Sequence, residues 1–248
     1  MDFLIIATGY NCQQKVRACI NSVKRIRDRN FRAIFISDGS NDATGLFLDQ
    51  ERSVKPIDDR LIFESYSDNQ GAARRRFTAI KKYANTEDTI IILLGLDDEL
   101  KPQCISRISE KYNSGAWCTY GNWEDQMKEM LPDGFIDFSE HEHVTRSYRT
   151  VKYRSTAPNT FKRFLFDQMH EDDFKYKGEW IKATTESNLM LSCLEMSGKD
   201  RIGVIKDSIY IYNKGRLDNA RRRFGSQYQD QIYRDVVSKT KRNLLIRP

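Results

Sequence analysis

With 248 residues, 39% of them hydrophobic and 31% charged, the chain suits one domain with a sizeable core and does not read as collagen-like, low-complexity or repeat-built. The formal charge of +6 is unevenly held: residues 214–248 carry ten Lys or Arg against three Asp, and the remainder carries 31 basic and 32 acidic groups. An electrically neutral body without an interleaved basic and aromatic stripe argues against nucleic acid as a partner. The early "FLIIA" is too short for a membrane span and lacks the basic flank of a signal peptide. Five cysteines, an odd number without metal-ligand spacing, fit a reducing cytosol, so the expected location is cytoplasmic with no transmembrane segment.

Strand-like and helix-like runs alternate through the first half, the pattern of βαβ units on a mainly parallel sheet. "DFLIIAT" predicts a first strand, and Val16, Cys19, Ile20, Val23 and Ile26 form the apolar face of a helix after it. "RAIFIS" predicts the second strand, "DGSNDAT" a turn, and Leu46 with Phe47 a short amphipathic helix. "RLIFESY" is a third strand, "NQGAARRRFTAIKKYA" a loop and helix, and "TIIILLG" the most apolar strand. Further on, "GAWCTYGNW" and "RIGVIKDSIYIYN" read as strands and "SNLMLSCLEMSG" as a helix stopped by glycine. Tyr228, Ile232 and Val236, four apart, predict a last helix.

In open α/β sheets ligands bind beyond the carboxyl ends of the strands. Four such ends carry polar clusters: Thr8–Asn11, Asp38–Thr44, Asp68–Gly71 and Asp97–Glu99. The last is the most telling, because "IIILLGLDDELKP" runs a buried strand into three adjacent acids that repel one another unless a cation sits among them. No G-x-G-x-x-G follows the first strand, which disfavours an ordinary dinucleotide-binding enzyme.

With "SDGSNDAT", "NQGAARRR" and "GLDD" in this order at strand ends, the chain resembles a family 2 glycosyltransferase of the GT-A fold over roughly its first 120 residues. Two positions depart from that pattern: Ser37 and Gly95 stand where the family has the first Asp of its two acidic motifs. The resemblance implies a GT-A type, Rossmann-like α/β fold with a mainly parallel central sheet flanked by helices and an irregular acceptor-side second half. Residues 1–213 would form the domain, split into a nucleotide-sugar half, 1–120, and an acceptor-side half, 121–213. Residues 214–248 would form a basic, partly helical tail packing on or closing over it.

The activity implied is metal-dependent transfer of a sugar from a nucleotide sugar, a UDP-sugar first, to an acceptor hydroxyl with inversion. Asp97 and Asp98 would hold Mn²⁺ or Mg²⁺, since such ions use one or two carboxylates and complete their shell with phosphate and water. Thr8, Tyr10, Asn11, Asp38, Asn69, Arg76 and Asp97 would bind the donor, with Asp38 accepting from a base N–H. Of the three consecutive arginines, Arg76 matches by spacing; one is expected to face the site and the others to be solvated. Glu186 is the candidate general base, with Glu195 as runner-up. Arg221–Arg223 would form a lid over the diphosphate or a solvated basic patch. The alternative function is a non-catalytic nucleotide- or sugar-binding relative, motivated by Ser37 and Gly95. The acceptor (glycan, protein or small molecule) and the oligomeric state stay open.

Overall fold

The computed structural model describes residues 1–125, 127, 136–213 and 220–247, without the side chains of residues 220–222. The first half alternates as the sequence predicts: β1 (Phe3–Gly9), α1 (Val16–Lys24), β2 (Phe31–Asp38), α2 (Thr44–Ser53), β3 (Leu61–Tyr66), α3 (Ala72–Tyr83) and β4 (Ile90–Gly95). There follow β5 (Glu99–Leu100), α4 (Cys104–Asn113), β6 (Cys118–Asp125), α5 (Glu140–Thr145), β7 (Thr160–Lys162) and α6 (Arg163–Asp167). The chain closes with β8 (Lys175–Tyr176), β9 (Glu179–Trp180), α7 (Thr185–Ser197), β10 (Ile202–Tyr212) and α8 (Ala220–Ser238).

Eight strands form one sheet in the order β3-β2-β1-β4-β7-β6-β10-β5. β1 to β4 run parallel, β7 is antiparallel to β4 and β6, β10 is parallel to β6, and β5 pairs antiparallel with β10. Because side chains alternate across a strand, the central strands feed two cores. Leu4, Ile6, Ile34, Ile36, Ile91 and Leu93 meet α3 and α7 on one face, while Phe3, Ile5, Phe35, Ile92 and Leu94 meet α1 and α4 on the other. The register sets Thr8 between Ile36 and Gly95, so the polar ends of β1, β2 and β4 finish side by side.

One local expectation is revised. Leu46 is exposed, and α2 buries Thr44 and Leu48 instead, because the Cys12 N–H donates to Thr44 Oγ1 at 2.7 Å and fixes that face inward. The described part of the basic tail packs on the domain. Ile232 and Val236 are fully buried, the Arg242 N–H donates to Glu195 Oε2 at 3.0 Å, and the Leu245 N–H donates to Met196 O at 2.9 Å. α8 is broken at Gly225, whose φ of 81° interrupts the helix.

Candidate functional site

The loops after β1 and β2 are stitched to each other. The Asn11 N–H donates to Ser40 Oγ, the Asn41 N–H to Asn11 Oδ1, the Gln13 N–H to Asp42 Oδ2 and the Ala43 N–H to Gln13 Oε1, all between 3.0 and 3.1 Å. Asn11 adopts φ of 53°, a left-handed conformation that asparagine tolerates. Ser37 is buried and donates to Ser40 Oγ at 2.9 Å, so this departure from the motif serves the turn. Thr8 is also buried, and its Oγ1 has no hydrogen-bond partner among the described residues. Beyond it the Arg223 guanidinium lies 3.7 Å from the centre of the Tyr10 ring; Arg221 and Arg222 fall outside the described side chains.

Asp38 organises the next strand end. Its Oδ1 accepts from Arg75 Nε at 2.6 Å and the Gln70 N–H at 3.0 Å; its Oδ2 accepts from the Gly71 N–H at 2.7 Å and Asn69 Nδ2 at 3.1 Å. A carboxylate offers about four acceptor sites, so all of them are engaged. Acceptance from a base N–H, the expected role, requires one of these bonds to be given up. Gly39 permits the closeness of the two loops, since a Cβ there would sit 2.3 Å from the Asp68 carbonyl carbon.

The acidic turn after β4 is built around Gly95. A Cβ at that position would lie 2.5 Å from Asp98 Oδ2 and 2.9 Å from Asp97 Oδ1, so both carboxylates lean into the space that glycine leaves. Both residues are buried. Asp98 is fixed from β10 and the residue after it: Tyr210 OH donates to Oδ2 at 2.6 Å and the Asn213 N–H to Oδ1 at 2.8 Å. Burial, with the charge of Asp98, pushes the Tyr210 phenol well above its ordinary value and keeps it a donor. Glu99, the third acid, is drawn into β5.

Arg75 and Arg76 are both buried, contrary to the expectation that only one of the three arginines turns inward. Arg75 serves Asp38 and lies over the Tyr66 ring at 3.7 Å, whereas exposed Arg74 reaches toward Trp180. Arg76 Nη1 meets Glu186 Oε1 at 2.5 Å and Thr185 Oγ1 at 2.9 Å, leaving its Nε without a partner among the described residues. Packing pushes the Glu186 carboxyl up, but the charge and hydrogen bond of Arg76 pull harder and hold it below the usual glutamate value. The Glu186 side chain is 43% exposed, and Thr184, two residues earlier, is strained at φ of 52°.

The structure thus sets Thr8, Tyr10, Asn11, Asp38, Asn69, Asp97 and Asp98 at the strand ends and the loops that follow them, while Arg76 and Glu186 pair with each other where α3 meets the start of α7, and Lys182 Nζ, donating to Asn69 O at 3.3 Å, ties the α7 side to the donor-side loop. Glu195 is elsewhere: it is fully buried in an ion pair with Arg149 at 2.8 Å. Arg75 and Tyr210 were missed in the sequence. For Arg75 the hint was the arginine run; for Tyr210 it was only the alternation in "IYIYN".

The sequence profile of Glycosyl transferase family 2 matches residues 4–168, about two thirds of the chain. The chain belongs to glycosyl transferase family 2. Among curated members and relatives, the teichoic acid poly(glycerol phosphate) polymerase of Staphylococcus epidermidis is 31% identical over 110 residues, which is 44% of this chain and 15% of that protein. The Staphylococcus aureus TarS fragment 1–349, solved with UDP-GlcNAc, superposes with a TM-score of 0.63 at 15% identity over 88% of this chain and 60% of that one. The mannosyltransferase PcManGT of Pyrobaculum calidifontis, solved with GDP-Man and Mn²⁺, gives a TM-score of 0.63 at 13% identity over 96% of this chain and 65% of that one. This family 2 chain therefore has the GT-A fold and spans less than two thirds of each of these three proteins.

Proposed function

We propose that the chain transfers a sugar from a nucleotide sugar, a UDP-sugar first, to an acceptor hydroxyl with inversion, assisted by Mn²⁺ or Mg²⁺. The observation that carries this reading is the Asp97–Asp98 pair leaning over Gly95, in register with Thr8 and one strand from the Asp38–Asn69 corner. The pair suits such an ion. Among the described residues no third His, Cys, Asp or Glu completes a cage, and a hard divalent cation takes the rest of its oxygen donors from phosphate and water. Asp97 and Asp98 would hold it, and when bound it supplies positive charge to the departing diphosphate.

The protein's own groups do the remaining work. Tyr10, Asn11 and Asn69 line the nucleotide side, and Asp38 holds the Asn69–Gly71 loop against it. Thr8 Oγ1 and Arg76 Nε, buried without protein partners among the described residues, are donors for oxygens of the donor substrate. Glu186, kept ionised by Arg76, accepts the proton of the acceptor hydroxyl as it attacks. UDP-GlcNAc on TarS supports the UDP-sugar, and GDP-Man on PcManGT names the competing donor class. Cys19, Cys104, Cys118 and Cys193 are buried thiols, which supports the cytoplasmic reading.

The test is release of nucleoside diphosphate from a panel of UDP-, GDP- and dTDP-sugars with Mn²⁺ or chelator, for wild type and Asp97→Ala. Turnover of one donor that needs metal and is absent in the variant is expected. Metal-dependent binding without turnover for any donor or acceptor would favour the non-catalytic alternative, and absence of nucleotide binding would remove the reading.

A further inference from the structure

The geometry points to Tyr210 as the residue that positions the Asp98 carboxylate for metal binding. This rests on the metal reading above and adds to it a residue from β10, about 110 positions further along the chain. Asp97 and Asp98 are adjacent, buried and alike in charge, so holding both ionised on one side of a turn costs energy unless donors are aimed at them. For Asp98 those donors come from outside its own turn. Tyr210, itself only 4% exposed, accepts the Gly95 N–H at 3.2 Å and donates to Asp98 Oδ2 at 2.6 Å. One hydroxyl therefore fixes both the last peptide of β4 and the carboxylate that folds back over it.

The sheet fixes the phenol in turn. Tyr210 lies opposite Leu100 in the β10–β5 ladder, and the Lys101 N–H donates to Ile209 O at 3.0 Å. A slip of one residue would turn the ring to the other face. The Asn213 N–H holds Oδ1 at 2.8 Å, so the Asp98 carboxylate is gripped at both oxygens from one strand end. Glycine at 95 completes the device, because any side chain would take the volume that Asp98 Oδ2 occupies.

Partners of metal ligands commonly change metal affinity by about 10–100-fold when removed. The experiment titrates Mn²⁺ by electron paramagnetic resonance, alone and with saturating UDP, for wild type, Tyr210→Phe and Tyr112→Phe, with melting temperatures beside them. Tyr112 is a matched control: it is a buried tyrosine whose hydroxyl lies 2.8 Å from Thr160 Oγ1. Expected is a Mn²⁺ affinity at least about tenfold weaker in Tyr210→Phe alone, with comparable melting losses in the two variants. Equal affinity in wild type and Tyr210→Phe, or equal weakening in Tyr112→Phe, overturns the proposal and leaves the metal reading in place. A wild type that binds UDP with no bound Mn²⁺ overturns both. Should Tyr210→Phe fail to fold, Gly95→Ala carries the test: it keeps the phenol but displaces Asp98, and unchanged Mn²⁺ affinity would count against the proposal.

Discussion

Asp38 and Arg75 are both more than 90% enclosed, and their 2.6 Å ion pair joins the ends of β2 and the start of α3. Stranding one member of an isolated buried pair costs about 3–5 kcal/mol; Arg75 keeps Asp68 Oδ1 at 3.0 Å as a second partner, which places the loss of Asp38 at the low end of that range. Asp38→Ala should therefore shift the urea midpoint by a corresponding amount, with Asp38→Asn in between. For Glu186 the expectation is different, because it faces Arg76 from a half-open position. Glu186→Gln should leave donor binding near wild type and lower transfer by about 10²-fold or more, read as kcat against KM. The same residue has a pH signature. Its folded value lies below the ordinary 4.5, so the pair contributes stability above about pH 4.5 and loses it as pH falls through the depressed value. Stability of Glu186→Gln measured from pH 6 to pH 3 should fall less steeply than that of wild type. The placement of Asp38, Asn69 and Asp97 beyond strand ends was legible in the sequence because each sits in a short motif after an apolar run. Which arginine meets Asp38 was not, since neighbouring helical positions differ by about 100° and the answer depends on where α3 docks.

At the level of elements, short apolar runs located β1 to β4 and helical spacing of apolar residues located α1 and α8, since those features are set by the local pattern. α2 was misread because its orientation is set by a hydrogen bond from Cys12, 32 residues away, and not by its most apolar pair. Tyr210 was unreadable for a similar reason: its role comes from pairing β10 with β5, a contact between segments about a hundred residues apart. α8 is the element whose contribution is most directly measurable. Ile232 is wholly buried in the core shared with α7, so Ile232→Ala should cost about 2–5 kcal/mol in chemical denaturation. α7 also carries Glu186 at its start, so a loosened α8 should weaken transfer more than nucleotide binding.

For the molecule as a whole, the charge asymmetry seen in the sequence becomes a fastening. Arg242 meets Asp173 at 2.5 Å, Arg247 meets Glu87 at 2.6 Å, and Lys239 Nζ donates to Asp173 O at 2.6 Å. Several tail cations are thus engaged with the domain, and cutting the chain after Ser238 should lower the melting temperature as well as the net charge. Among the described residues no helix is long and apolar enough to cross a membrane. Arg247 beside Glu87, and Asp2 bonded to Thr89 at 3.0 Å, bring the two extremities of the described chain to the same rim, just before β4 begins. The proposed donor corner lies where β4 finishes, six residues or about 20 Å further along. A surface tether attached on that rim would therefore lie about 20 Å from the proposed donor corner and leave it clear.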